Sequence, residues 1–236
     1  MLKPILTLAF LCAFVHTYAQ QSSSGKYGLK TAGLQEYSAA IETKPGHELV
    51  DLAKYIPSAL IDIRYATENN FMHRKMYEEE FAFLRKDAAD SLRVIQAELN
   101  KLGYGLKIYD AYRPYGVTVQ FYEAYRDTTY VASPYSGSRH NRGCAVDLTL
   151  IELKTGKEVQ MPTAYDDFSE RAHAKYRDLP AKATRNRRLL QKMMTGHGFD
   201  IYPAEWWHFD FKGWQQYEVL DVPFAQLAGE QVKSER

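Results

Sequence analysis

Two short segments concentrate the side chains that could do chemistry. Ser138-Arg139-His140-Asn141-Arg142-Gly143-Cys144-Ala145-Val146-Asp147 supplies a histidine and a carboxylate. Glu205-Trp206-Trp207-His208 supplies a second carboxylate and a second histidine. His140, Asp147 and His208 can form a two-histidine, one-carboxylate set. Zinc in hydrolases is typically held by three protein ligands, with a fourth position open to water. Imidazole and carboxylate suit Zn2+ and leave it Lewis-acidic. No thiolate is needed, in keeping with only 2 cysteines in the chain. A lone histidine carries little weight. Asp147 carries more, because it stands on an apolar strand and burying a bare carboxylate is costly.

Several elements must position these groups. Val146 to Ile151 reads as a strand, and Gly143 permits a tight turn after His140. Ala145 and Asp147 share one strand face by the period of two, and the small Ala145 leaves room beside a metal. A second strand is expected over Glu205 to Phe211. A straight strand would send Glu205 and His208 to opposite faces, so a bend or bulge must lie between them. Cys144, between Gly143 and Ala145, reads as a small hydrophobe and not a nucleophile.

The rest of the chain fills in around them. Residues 87–102 read as a helix with Asp87 as N-cap, an apolar stripe of Ala89, Leu92, Ile95, Leu99 and Leu102, and Gly103 closing it. Strands are expected over Ala59 to Tyr65, over Leu106 to Tyr112, and after a turn at Thr155-Gly156. Gly116 to Arg126 reads as a helix. Arg185 to Thr195 reads as a basic, amphipathic helix ended by Gly196. No internal repeat is found. Short strands mixed with helices indicate an α+β fold, a single domain with a small, mainly antiparallel sheet flanked by helices, its zinc site on the sheet.

The first segment reads as an address. Lys3 gives a basic start, and Ile5 to Val15 is an apolar run shorter than the ~20 residues a membrane span takes. Thr17-Tyr18-Ala19 fits a signal cleavage site before Gln20. Residues 1–19 are therefore expected to be a signal peptide, 20–47 a polar spacer and 48–236 the catalytic domain. The product would be exported, periplasmic or secreted, with no stable membrane insertion after cleavage. Removing 1–19 takes away Lys3 and leaves 29 basic against 29 acidic residues. A neutral chain offers no electrostatic case for nucleic acid or an anionic membrane. It would also retain one cysteine, Cys144, too few for an internal disulfide. With 45% hydrophobic and 25% charged residues, the composition excludes a disordered chain, a collagen-like fibre and a coiled coil. The 18 tyrosines are expected to serve as amphipathic core and cleft lining.

Ser-x-His-x-x-Gly-x-Ala-x-Asp followed by Glu-x-Trp-His resembles the D-alanyl-D-alanine dipeptidase family, which is similar to the zinc D-Ala-D-Ala carboxypeptidases and the L-alanyl-D-glutamate peptidases. Asp62-Ile63-Arg64-Tyr65-Ala66-Thr67, Tyr109-Asp110-Ala111-Tyr112-Arg113-Pro114 and Asp166-Asp167-Phe168-Ser169-Glu170 resemble further segments of the dipeptidase branch. The resemblance spans about Leu49 to Trp214. It implies that His140, Asp147 and His208 bind one zinc ion. Glu205 would be the catalytic base and acid, and Arg113 would stabilise the transition state. Ser138, Tyr65, Phe71 and Asp167 are expected at the substrate. Two features depart from the branch: Met161-Pro162-Thr163-Ala164-Tyr165 replaces a Gly-Thr-Pro-Phe-like run, and an export signal is present.

The expected activity is zinc-dependent hydrolysis of the small-molecule dipeptide D-Ala-D-Ala, in cell-wall turnover or dipeptide salvage. The alternative is a D,D-carboxypeptidase or L-Ala-D-Glu peptidase acting on peptidoglycan stems, separated from the first by substrate length. A binding module that has lost catalysis is disfavoured by the presence of both Glu205 and Arg113. No oligomeric state follows from the sequence.

Overall fold

The computed structural model describes residues 25–234. The expected signal peptide and the start of the expected spacer lie outside them. The central sheet contains β2 (Leu60–Ile61), β4 (Tyr104–Asp110), β5 (Ala145–Glu152), β6 (Phe199–Ile201) and β7 (His208–Phe211), in the order β2-β4-β5-β7-β6. Only β2 and β4 pair in parallel. The other three pairings are antiparallel, so the mainly antiparallel α+β expectation holds. A separate two-stranded ribbon pairs β1 (Leu49–Asp51) with β3 (Phe83–Arg85).

The helices are α1 (Leu34–Thr43), α2 (Leu52–Tyr55), α3 (Lys86–Lys101), α4 (Tyr115–Ala124), α5 (Ala181–Gly196) and α6 (Phe224–Ser234). Among the described residues none is long and apolar enough to cross a membrane. α3 packs on β4, α5 packs on β5 and β6, and the two helices touch each other. Their apolar stripes, with Leu92, Ile95, Leu99, Leu190 and Met194, join Val146, Leu148 and Leu150 of β5 in one buried core. Because strand side chains alternate, the same spacing turns Ala145 and Asp147 to the opposite face. β5 is thus buried on both sides, with a core face and a chemical face.

Four expectations are corrected. The polar spacer folds: α1 buries Tyr37, whose hydroxyl oxygen accepts the Leu49 N–H at 2.8 Å, and Ala32 bridges in parallel to Leu220. Asp87 is the second residue of α3, not its N-cap, and its carboxylate accepts the Tyr217 hydroxyl at 2.7 Å. The strand expected from Glu205 starts at His208, because residues 203–207 turn the chain between β6 and β7. The strand after Gly156 reduces to a single bridge between Ile151 and Glu158. Gly103 does end α3, one residue beyond its C-cap, at φ +83°.

Candidate active site

Register across three strands builds the site. Asp147 of β5 lies opposite His208 of β7 on one side and Asp110 of β4 on the other. Directly opposed residues of antiparallel strands project to the same face. Asp110 reaches this register only because β4 bulges between Ile108 and Asp110. Without the extra residue Tyr109 would oppose Asp147, and Asp110 would fall on the core side. Asp210, two residues beyond His208, shares the face and opposes Ala145.

His140 comes from a single 3-10 turn, His140–Arg142, closed by Gly143 at φ +66°. A β-carbon at Gly143 would stand 2.5 Å from the Leu49 side chain, so both conformation and space demand glycine. The wholly buried Asn141 fastens this turn. Its Nδ2 donates to the Arg113 carbonyl at 2.9 Å and to Thr118 Oγ1 at 2.8 Å, and its Oδ1 accepts the Ser138 N–H at 2.7 Å. The sequence reading passed over Asn141, since a polar residue between two motif positions looks like spacing.

His140, Asp147 and His208 present three facing atoms. His140 Nε2 lies 3.2 Å from His208 Nδ1 and 3.4 Å from Asp147 Oδ1. His208 Nδ1 lies 3.0 Å from Asp147 Oδ1. Donors ~2.1 Å from a common tetrahedral centre stand about 3.4 Å apart, so these spacings match a zinc-sized triad. Each ring's other nitrogen faces an acceptor. His140 Nδ1 meets the Ala111 carbonyl at 2.6 Å, and His208 Nε2 meets Asp210 Oδ1 at 2.9 Å. Those partners hold the ring protons and aim the bare nitrogens inward. Asp147 Oδ2 accepts the Tyr165 hydroxyl at 2.9 Å, while the buried Oδ1 has no hydrogen-bond donor. Three buried donors converging on an orphaned carboxylate oxygen fit a metal ion.

Charge is balanced tightly around the triad. Burial opposes ionisation of Asp147, but His140 and His208 outweigh it and hold its pKa well below the carboxylate range. In the metal-free chain burial likewise opposes a charged His208, yet Asp210 and Asp147 hold its pKa well above the usual value, and a bound ion would take the place of the inward proton. Glu205 projects from the turn before β7, with Oε2 at 3.7 Å from His208 Nδ1. Its pKa is pushed well up by burial, with Asp147 and Asp166 adding repulsion. Arg113 is buried, and both its Nε and Nη2 donate to Asp110 Oδ2, at 3.1 and 2.6 Å. Its guanidinium lies over the rings of Phe121 and Tyr65, 4.7 and 5.2 Å from their centroids. Asp110 also accepts the Tyr77 hydroxyl at 2.9 Å. The ion pair with Asp110 therefore orients Arg113 without removing it from the cleft.

A cleft of about 210 Å³ unites these groups. It is smaller than the ~300–1,000 Å³ of most ligand pockets. Arg113, His140, Asp147, Glu205 and His208 all line it, as do Ser138, Tyr65 and Phe71. Ser138 Oγ accepts the His140 N–H at 3.2 Å. One expected residue is displaced: Asp166, not Asp167, faces the cleft. The chain enters the left-handed region at Asp166, φ +61°, which turns its carboxylate inward. Its oxygens accept the Tyr65 hydroxyl at 3.1 Å and the Phe71 N–H at 3.2 Å. Burial, with help from the Asp147 charge, raises its pKa to about 7.

Comparison with known proteins accords with this geometry. The model of peptidase family M15, described as D-ala-D-ala dipeptidase, matches residues 46–227. A D-alanyl-D-alanine dipeptidase of Escherichia coli (strain K12) is 38% identical over 178 residues, covering 75% of this chain and 92% of that protein. Proteins of the same description from Enterococcus faecalis (strain ATCC 700802 / V583) and Enterococcus faecium are 32% and 33% identical. They cover 69% and 63% of this chain, and 87% and 83% of their own lengths. With its motif residues converging on one cleft, and this extent of similarity, the chain belongs to the D-Ala-D-Ala dipeptidase family of metallopeptidases.

Proposed function

We propose that this protein hydrolyses free D-Ala-D-Ala to two D-alanines, using one zinc ion held by His140, Asp147 and His208. The observation that carries the reading is the half-buried Asp166 carboxylate at the wall of the same small cleft, held by the Tyr65 hydroxyl and the Phe71 N–H. A free dipeptide brings an ammonium group that can meet this carboxylate. A stem peptide presents a neutral amide at the equivalent point and offers the carboxylate no charged partner. The named activity of the relatives supports the same substrate.

The bound ion would supply Lewis acidity, acidifying water and polarising the scissile carbonyl. Glu205 removes a proton from the attacking water and delivers it to the leaving amine. Its raised pKa suits the task, since a carboxylate that holds protons more tightly is the stronger base. Arg113 meets the oxygen on which negative charge develops. Such preorganised donors are each worth ~10²–10³ in rate, and Asp110 supplies the orientation. Asp166 anchors the substrate ammonium, with Tyr65 and the Phe71 backbone holding the anchor. Ser138 lies within reach of the bound peptide. Asp167 does not line the cleft.

The export signal over 1–19 and action outside the cytoplasm, in cell-wall turnover or dipeptide salvage, belong to the same proposal. Lys3, the apolar run from Ile5 to Val15 and Thr17-Tyr18-Ala19 support them. N-terminal sequencing of the secreted protein should read Gln20 first. The activity is tested on the zinc-loaded protein with free D-Ala-D-Ala and a stem peptide ending in D-Ala-D-Ala, each with a chelator control. Chelator-sensitive cleavage of the dipeptide alone is expected. Cleavage of the stem would move the enzyme to the carboxypeptidase or endopeptidase class.

A further inference from the structure

The basic helix α5 carries a feature that the proposed hydrolysis does not use. Thr184, Arg187, Arg188 and Gln191 stand at i, i+3, i+4 and i+7, on one stripe of the helix. With Lys175 and Arg177 of the preceding turn they line a cleft of about 560 Å³. None of its lining residues belongs to the catalytic cleft, and none is a carboxylate. Four cations therefore converge on one hollow.

Their charges are uncompensated. Among the described residues, Lys175, Arg177, Arg187 and Arg188 make no ion pair, whereas the nearby Lys182 reaches Glu152 at 4.0 Å. Glu170 and Asp200 line the adjoining cavity, which Lys175 also borders, but neither comes within ion-pair distance of the four cations, and Asp200 pairs with Lys212 at 3.8 Å. Arg187 is the telling residue, since it is only 6% exposed. Its Nη1 and Nη2 donate to the carbonyls of His173 and Tyr176 at 3.2 and 2.7 Å, and its buried Nε has no partner. A guanidinium is rarely buried without an anion. Burial first, then the Arg188 charge, lowers its pKa.

We propose that this cleft binds an oxyanion of the phosphate class. A doubly charged tetrahedral anion neutralises more of the cluster than a monocarboxylate. Its several oxygens also suit guanidinium forks, which bind phosphate bidentately. Thr184 adds a hydroxyl on the same stripe. The site lies apart from the catalytic cleft, so it stands or falls independently of the hydrolysis reading.

The test is calorimetric titration of inorganic phosphate into the full zinc-loaded enzyme at fixed ionic strength, with acetate and chloride as controls. Glycerol phosphate in a second arm separates a free ion from an esterified headgroup. Saturable binding of inorganic phosphate is expected, with acetate at least about tenfold weaker. The double variant Arg177→Gln/Arg188→Gln changes two exposed side chains and should fold normally. It should raise the Kd about tenfold or more while leaving the melting temperature without phosphate and the dipeptide turnover unchanged. Arg187→Gln should abolish binding, with circular dichroism as the folding control. Absence of saturable heat in wild type would overturn the proposal. So would phosphate binding that survives the double variant, since the anion would then sit elsewhere, the metal centre included.

Discussion

Replacing Asp166 by Asn should make the metal-free protein more stable and the enzyme worse. Asp166 is half-buried, and its carboxyl titrates at about 7, against an ordinary aspartate value near 4. Between those values the folded chain keeps a proton that the unfolded chain has released. Raising the pH therefore favours the unfolded state, by ~1.4 kcal/mol per unit for this group. From pH 5 to pH 7 the wild type should lose about 2 kcal/mol through Asp166 alone, since the folded group is already half ionised at pH 7. Asn escapes this loss. Its Oδ1 can accept the Phe71 N–H, its Nδ2 can donate to the Tyr65 oxygen, and Asn tolerates the left-handed backbone that Asp166 adopts. Urea unfolding of the two chains in chelator, at pH 5 and pH 7, reads the difference directly. The variant should gain about 2 kcal/mol on wild type over that interval. Zinc should shrink the gap, because it offsets the Asp147 charge that helps raise the Asp166 pKa. In the zinc-loaded enzyme the KM for D-Ala-D-Ala should rise ~10–100-fold, the worth of one charged hydrogen bond. Parallel stability curves at the two pH values would refute the burial reasoning, and an unchanged KM would refute the anchor.

Glu205→Gln keeps the shape of the side chain and removes the base, so zinc content by elemental analysis should stay at wild-type level while turnover disappears. His208→Ala should lose both metal and activity, and stoichiometric zinc in the purified variant would remove His208 from the ligand set. Asp210→Asn should be milder, weakening zinc ~10–100-fold in a chelator competition, because the partner that aims His208 loses its charge. Gly143→Ala forces a β-carbon towards Leu49 and Arg85 at a left-handed position and should cost about 1–3 kcal/mol in thermal unfolding.

The three candidate metal donors were legible in the sequence because their types and short-range spacing carry the chemistry. The turn at Gly143 and the alternation along β5 also follow from local rules. What failed to be read lies where direction depends on tertiary structure. Asp166 and Asp167 are adjacent and identical, and only a left-handed residue decides which one faces the cleft. Asp110 gains its place from a one-residue bulge, and no residue type at Tyr109 announces it. The segment from Leu34 to Thr43 is polar enough to resemble a spacer. A helix needs only one buried stripe to dock, and Tyr37 supplies part of it. Glu205 shows the reverse case. The three-residue spacing from His208 was incompatible with a straight strand, and a turn resolves it.

Cys144 offers a practical consequence. It is a free, fully buried thiol at the entrance to β5, between two of the proposed metal donors, and burial pushes its pKa up to about 12. In the folded chain at neutral pH almost no thiolate exists to react. An alkylating reagent can reach it only when β5 parts from its neighbours, so the rate of labelling becomes a clock for local opening of the strand that carries Asp147. Ions that grip both His140 and Asp147 should slow that clock in proportion to their affinity. Metal preference could then be ranked without any substrate being turned over.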